Sequence, residues 1–190
     1  CDARLEDGFD EELMKLAHRA GLKMVLWGYE SGSEKIMKLI NKGINIENRL
    51  KILKNSHDAG IFNFAFIFFG FPAETKEDAL MTIKDICENT DIINVYGKSV
   101  FTMGKHTKLR EAPEKYGVVG KTYQEAEFSP TYNYTASGMT KIELQEIMNL
   151  CSKKAFEAYG DTLPFHLLTR EYMLLYLAKY GTEIVCNYKF

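Results

Sequence analysis

Apolar residues in the first half of the chain follow two spacings, which predict alternating helices and strands. A three- and four-residue spacing from Phe9 to Ala20 predicts an amphipathic helix. The residues expected to face inward on it are Phe9, Leu13, Leu16, Ala17 and Ala20. Continuous apolar segments of strand length follow at Lys23–Tyr29, at Phe62–Phe69 and at about Ile92–Tyr96.

Capping residues mark the helices between these strands. Ser33 is expected to begin a helix that Gly43 ends, and another helix is expected over Glu47–Ala59. Thr75 is expected to begin the next helix, with Asp78 as its capping-box partner. The strands are apolar on both faces, which is typical of parallel strands covered by helices.

A faint repeat supports this order. The tripeptides Ala20-Gly21-Leu22 and Ala59-Gly60-Ile61 begin 39 residues apart, and each lies between a predicted helix and a predicted strand. This period suits a βα unit. About three such units fit before residue 101, whereas a complete eight-unit barrel takes roughly 250 residues. The pattern therefore predicts an α/β fold that forms part of a parallel (β/α) barrel.

The chain changes character after Phe101. Residues 105–124 are polar and read as a long connection, and residues 128–138 are expected to be irregular but packed. Thr140 begins a helix to about Tyr159, and a last helix is expected over Pro164–Tyr180. We therefore divide the chain into a partial barrel, residues 1–110, and an irregular and helical C-terminal extension, residues 111–190, laid against the barrel wall.

Composition narrows the classes of function. The 190 residues carry 24 Lys and Arg against 26 Asp and Glu, a net charge of −2, which disfavours nucleic acid as a partner. No apolar segment reaches the ~18 residues of a membrane span, and the N-terminus has no signal-peptide pattern. The four cysteines do not have the spacing of metal ligands, so no metal site is predicted. We expect a cytoplasmic protein without membrane contact.

Candidate chemistry lies just after the predicted strands, because parallel α/β folds bind ligands at the carboxyl ends of their strands. Two such loops are Gly28–Ser33 and Gly70–Thr75. The Glu30 carboxylate, flanked by small hydroxyl residues, suits a ribose diol or an ammonium group. Gly70 would let a ligand approach the backbone closely.

Four sequence blocks carry a family resemblance. They are WGYESGS at 27–33, NKG at 41–43, AGI at 59–61 and FGFPAET at 69–75. In this order and spacing they resemble the second half of the six-unit barrel of radical S-adenosylmethionine (SAM) enzymes. The most similar subgroup is the one whose members usually carry a cobalamin-binding domain. The resemblance covers about residues 1–110 and implies three of the six βα units.

The resemblance also implies a cofactor site. The residues that it places at SAM are Glu30, Ser31, Ser33, Lys42, Phe68 and Gly70. Glu30 would contact the ribose or amino acid part, and Lys42 would pair with the SAM carboxylate. Phe68 and Gly70 would pack against the adenine, and Arg4 lies where the family commonly has an arginine. No catalytic residue is assigned.

By the same resemblance, the chain is a fragment of a radical SAM enzyme of the Fe–S oxidoreductase or methyltransferase type. Such enzymes use a 5′-deoxyadenosyl radical or cobalamin-dependent methyl transfer. The [4Fe–4S] cluster loop Cys-x3-Cys-x2-Cys and the cobalamin domain are not in this sequence. The implied partners are a small-molecule or peptide substrate, an electron donor and the missing N-terminal part of the same protein. We expect this chain to be inactive alone.

Two alternatives stay open. The first is a phosphate- or nucleotide-binding α/β-barrel enzyme, with Glu30, Glu74 and His106 as the available acids and bases. The second is a non-catalytic half barrel whose phenylalanine-rich edge binds a partner chain. Glu74 is expected to serve as an acid at a helix N-terminus. The loop Phe101–Thr107 departs from the family's Pro-x-Pro-Gly-Thr, so the substrate class stays open.

Overall fold

A parallel sheet of four strands organises the N-terminal half of the protein. The computed structural model describes residues 1–104, 107–122, 133–160, 166 and 168–182. The strands are β1 (Asp2–Arg4), β2 (Met24–Glu30), β3 (Phe62–Phe69) and β4 (Val95–Val100). They lie side by side in chain order and all run parallel, which is the arrangement of consecutive strands in a (β/α) barrel. The predicted α/β class is confirmed.

Helices connect these strands and begin at capping residues. They are α1 (Glu11–Arg19), α2 (Glu34–Ile40), α3 (Arg49–Asp58) and α4 (Lys76–Glu88). The Ser33 side chain accepts a hydrogen bond from the Ile36 amide, and Thr75 forms a complete capping box with Asp78. The capping predictions for Ser33 and Thr75 are therefore confirmed. Asn41, in the left-handed conformation, ends α2 two residues before the predicted Gly43.

The two faces of the sheet pack against different partners. One face meets α1, α3 and α4 in the main core; its fully buried residues include Trp27, Tyr29, Ala65, Ile67 and Phe69. Asn63 lies within this core, where its side chain accepts a hydrogen bond from Trp27 and donates to the carbonyls of Leu53 and Ile92. This polar group is fully satisfied, so it ties β3 to β2 and to two connections.

The opposite face carries the even-numbered side chains of β2 and β3. Its lower part packs against α6 (Arg170–Tyr180), through Met173 and Leu177. The sheet residues in this cluster are Met24, Leu26, Phe62, Phe64 and Val95. The last helix therefore covers the sheet face away from α1, α3 and α4.

The rest of the extension packs near α4 and the strand ends. Helix α5 (Lys141–Tyr159) begins at the capping box of Thr140 and Glu143, as predicted, and packs on α4. Two short 3₁₀ helices, Lys108–Arg110 and Pro113–Tyr116, precede an antiparallel hairpin. Its strands, β5 (Val118–Thr122) and β6 (Asn133–Ala136), fall where a polar connection and an irregular segment were expected, so those two expectations are corrected.

Other differences between the sequence prediction and the structure concern the inward face of α1 and the positions at which strands begin. Leu13 and Leu16 are 42% and 54% exposed, so these two were wrongly expected to face inward, and Met14 is the buried residue of α1. Phe9 and Ala17 pack against the main core as predicted. The fourth strand begins at Val95 instead of Ile92, and β1 adds a strand that precedes the three predicted. In the described ranges, no helix has the length and apolar character needed to cross a membrane. The division at residue 110 stays a prediction.

Candidate functional site

An open groove of about 430 Å³ lies on the sheet at the ends of β1 and β2. Its lining residues are Asp2, Ala3, Arg4, Leu26, Gly28, Glu30 and Phe66. They come from three adjacent strands, and the groove faces away from α1, α3 and α4. A groove with two carboxylates, a guanidinium and an aromatic ring can bind a ligand that has charged and apolar parts.

Glu30 sits at a β-bulge where the pairing of β2 with β3 shifts register. Its φ is 68°, a left-handed conformation that is uncommon for a residue other than glycine. The side chain is only 13% exposed and forms an ion pair with Lys42. Gly28 leaves the space for this carboxylate, because a Cβ there would lie 2.8 Å from Glu30 Oε1. The structure thus brings together two of the residues predicted from sequence.

Lys42 reaches this position because the chain reverses at the end of α2. Asn41 has a φ of 50°, and the lysine that follows it returns toward the end of β2. At the other side of the groove Arg4 pairs with Glu6, with 2.9 Å between Nε and Oε1. Both cations are partly exposed, at 41% for Lys42 and 60% for Arg4, so a ligand could reach either of them.

Ser31 lies behind the groove and not in it. The side chain is fully buried, and its hydroxyl is 3.2 Å from the hydroxyl of Thr82 on α4. The same threonine accepts a hydrogen bond from the Gly32 amide at 2.8 Å. A Cβ on Gly32 would come within 2.7 Å of the Thr82 backbone, so this loop packs directly on α4. Ser31 therefore fastens the loop that carries Glu30.

Ser33 is also buried and bonded within the protein. Its hydroxyl caps α2 and donates to Asp78 Oδ1 at 2.6 Å. The other carboxylate oxygen of Asp78 accepts from Lys35 at 2.5 Å and from Thr75 at 3.0 Å. Burial opposes ionisation of Asp78, but the hydrogen bonds from Lys35, Ser33 and Thr75 outweigh it and hold the Asp78 pKa at about 2. One ionised carboxylate thus joins the starts of α2 and α4.

Phe68 and Gly70 lie beside the extension. The Phe68 ring packs against Phe101 and Phe71, with ring centroids 5.5 and 6.5 Å away. Gly70 has a φ of 84°, and a Cβ there would lie 2.9 Å from the Leu144 side chain of α5. The close approach that this glycine allows is therefore made by α5 in this structure. Phe66, which sequence reasoning did not select, is the phenylalanine that lines the groove.

Glu74 is fully buried in the turn after β3. Its Oε2 accepts a hydrogen bond from the Gly70 amide at 2.5 Å, and its Oε1 has no hydrogen-bond partner among the described residues. Burial raises the Glu74 pKa to about 7, against hydrogen bonds from Gly70 and Phe71 that lower it. The expectation of an acid at the start of α4 is therefore corrected, because the carboxylate closes its own turn.

The described residues contain no group of three or more His, Cys, Asp or Glu that could hold a metal ion. Three free cysteines are described: Cys1 is exposed, Cys87 half-buried and Cys151 buried. His106, an acid–base candidate in one alternative, lies outside the described residues. This donor set does not fit a [4Fe–4S] cluster, which is held by cysteine thiolates.

Adjacent parallel strands with a charged groove at their carboxyl ends define part of an α/β-barrel, ligand-binding fold. Residues 3–86 match the family model of the radical SAM superfamily. The matched region includes β2, β3, most of β1 and α4, and every residue that lines the groove except Asp2.

Two curated relatives resemble the same region. A putative methylthiotransferase from Methanocaldococcus jannaschii is 33% identical over 90 residues, 47% of this chain and 20% of the relative. An uncharacterized methyltransferase from Pyrococcus horikoshii is 33% identical over 76 residues, 40% of this chain and 17% of the relative. The chain therefore spans about a fifth of the length of these relatives.

Two solved structures share the fold. Elp3 from Methanocaldococcus infernus superposes with a TM-score of 0.58 at 18% identity, over 79% of this chain and 31% of that one. Coproporphyrinogen III oxidase from Escherichia coli, described as a radical SAM enzyme, superposes with a TM-score of 0.59 at 11% identity. The match covers 83% of this chain and 31% of that one. At these identities the likeness establishes the fold alone.

Proposed function

We propose that this chain forms the part of a radical SAM enzyme that holds the amino acid and ribose portions of SAM. The observation that carries the proposal is the Glu30–Lys42 ion pair at the end of β2. Glu30 lines a groove that Phe66 and Arg4 also line. The superfamily match over residues 3–86 supports the same ligand.

The charges suit the amino acid end of SAM, which carries an ammonium and a carboxylate. Without a ligand, Glu30 and Lys42 neutralise each other. A zwitterion between them replaces one ion pair by two, with the ammonium or a ribose hydroxyl at Glu30 and the ligand carboxylate at Lys42. Charge-assisted hydrogen bonds of this kind are about twice as strong as neutral ones.

The apolar part of the groove suits the remaining portion of the ligand. Phe66 and Leu26 offer aromatic and aliphatic surface beside Glu30. We assign Ser31 and Ser33 the role of holding the loop, because both hydroxyls are buried and bonded to α4. Adenine contact by Phe68 and Gly70 stays a prediction of the family resemblance.

The described residues have no set of ligands for the cluster, so we assign them no step that runs through it. SAM, when bound, supplies the group that is transferred or the radical that starts the reaction. The residues of this chain bind and orient it. We propose that the cluster ligands come from another segment of the same protein, which the short coverage of the relatives supports.

For the complete enzyme we propose transfer of a methyl or methylthio group. This rests on the names of the two relatives, a putative methylthiotransferase and an uncharacterized methyltransferase. Participation of cobalamin stays a prediction of the subgroup resemblance, as do the electron donor and the small-molecule or peptide substrate.

Titration of the 190-residue chain with SAM, followed by ligand-observed NMR, tests the binding role. We expect Glu30→Gln and Lys42→Met each to weaken SAM binding about tenfold, the size of a lost charge-assisted hydrogen bond. Lys38→Met is the matched control, because Lys38 also lies on the α2 side but pairs with Glu34 away from the groove.

Inorganic phosphate and ATP serve as competing ligands in the same titration. Binding of either in place of SAM, with no effect of Lys42→Met on SAM, would contradict the proposal and favour a phosphate-binding barrel. An unchanged SAM affinity in Glu30→Gln would contradict the role of that carboxylate.

A further inference from the structure

The strained backbone at Glu30, the last residue of β2, is held by a residue of helix α3. The carbonyl oxygen of Ser31, the next residue, accepts a hydrogen bond from Nη1 of Arg49. Arg49 is the first residue of α3 and is 4% exposed. A buried guanidinium therefore lies directly behind the residue that we place at SAM.

A compact set of contacts fixes this guanidinium. Cζ of Arg49 lies 4.3 Å from the ring centroid of Tyr29, and Nη2 of Arg49 is 3.4 Å from Asp85 Oδ2 on α4. Tyr29 donates its hydroxyl to the same Asp85 oxygen at 2.7 Å. Burial is the main cause that raises the Tyr29 pKa, so the phenol stays a donor at neutral pH.

The arrangement joins both sides of the bulge. Tyr29 precedes Glu30 and is held through its ring and hydroxyl, and Ser31 follows it and is held through its carbonyl. A non-glycine residue in the left-handed region is strained and persists only where its surroundings fix it. Arg49 contacts both neighbours of Glu30, and Asp85 supplies the counter-charge.

We propose that Arg49, with Asp85, is a positioning residue that keeps Glu30 in its left-handed conformation and so aims the carboxylate at the amino acid end of SAM. This inference rests on the proposed function for its ligand, but the backbone effect does not depend on any ligand. Lysine cannot replace the guanidinium fully, because a single ammonium lacks the planar fork that reaches Ser31 and Asp85 together.

Two measurements on the full chain test it. The first is the intraresidue amide–Hα NOE of Glu30, which is strong at positive φ because the two protons are then close together. The second is SAM affinity by the titration described above. We compare the unchanged protein with Arg49→Met, Arg49→Lys and Leu53→Ala, the last a buried residue one turn along α3 that serves as a control for lost stability.

We expect Arg49→Met to lose the strong NOE and to weaken SAM binding about tenfold, as for one lost charge-assisted hydrogen bond. Arg49→Lys should restore part of both. Leu53→Ala should lower the unfolding midpoint while keeping the NOE and the affinity at temperatures where it is folded.

Retention of the NOE in Arg49→Met would overturn the inference. An equal loss of the Glu30 NOE in Leu53→Ala would also overturn the inference, because the loss would then reflect general destabilisation. If the unchanged chain does not bind SAM but Arg49→Met still loses the NOE, the positioning role stands and the proposed ligand fails.

Discussion

Glu74 gives a direct test of how burial acts on a carboxylate in this fold. The side chain is fully buried, and its Oε2 accepts a hydrogen bond from the Gly70 amide. Its pKa rises from 4.5 to about 7, mainly because burial disfavours the charged form. The folded protein therefore binds a proton at Glu74 more tightly than the unfolded chain does.

The sign of the effect on stability follows from this difference. Between the two pKa values, 4.5 and about 7, the folded state holds more protons at Glu74, so the free energy of unfolding falls as the pH rises. With these values, the Glu74 contribution at about pH 8 is less favourable than at about pH 5 by roughly 2.5 kcal/mol. Below about pH 4 and above about pH 8 the contribution no longer changes.

Urea unfolding of the unchanged chain, Glu74→Gln and Glu77→Gln across this range measures the effect. Glu77 is the matched control, since it is exposed in the first turn of α4 and loses the same charge. We expect the stability difference between Glu74→Gln and the unchanged chain to move by roughly 2.5 kcal/mol in favour of the glutamine variant from about pH 5 to about pH 8. A difference that is independent of pH, or one that Glu77→Gln reproduces, would refute the reasoning.

Three further substitutions test the packing around the site by urea unfolding. Gly32→Ala should cost about 1–3 kcal/mol, because its Cβ would meet the Thr82 backbone at 2.7 Å; a neutral effect would show that α4 can shift. Asn63→Ala should cost about 3 kcal/mol or more by leaving buried groups unpaired, and a smaller loss would mean that water replaces the amide. Asp78→Asn should cost roughly 2 kcal/mol at neutral pH, a deficit that shrinks as the pH falls from about 4 toward the Asp78 pKa of about 2; a deficit unchanged at low pH would contradict the depressed pKa.

The sequence predicts elements whose causes are local. Phe62–Phe69 forms a strand with the predicted bounds, and Ser33, Thr75 and Thr140 cap helices as expected. A cap needs only a hydroxyl three residues before an amide, and a buried strand needs only a short apolar run. Both kinds of signal are complete within a few residues.

The start of β4 depends instead on a partner strand. The amides of Ile92 and Ile93 bond to the Asn89 carbonyl, so these apolar residues form a turn. Asn94 then uses its side chain to accept from the Asn63 amide, and ladder pairing begins at Val95. No local pattern in the sequence carries this register, because it is set by β3.

The same limit applies to the site. Glu30 and Lys42 could be selected because they fall in recognisable blocks after a strand and a helix. Three other residues could not be selected, because their roles depend on contacts across the fold. Phe66 lines the groove, Arg49 donates to the Ser31 carbonyl, and Glu74 accepts from the Gly70 amide in its turn. A buried arginine and an exposed one look alike in sequence.

The contacts of α4 explain why the loop behind the groove can be held firmly without contacting a ligand. Asp78, Thr82 and Asp85 lie on one face of α4 at helical spacing and receive, in turn, Ser33, the Ser31–Gly32 segment and Arg49. Each contact therefore fixes a different point of the chain around Glu30 through one rigid helix. Sites supported by regular elements are more accurately positioned than sites on free loops. A change on this face of α4 should therefore disturb Glu30 more than an equal change on the exposed face of the same helix.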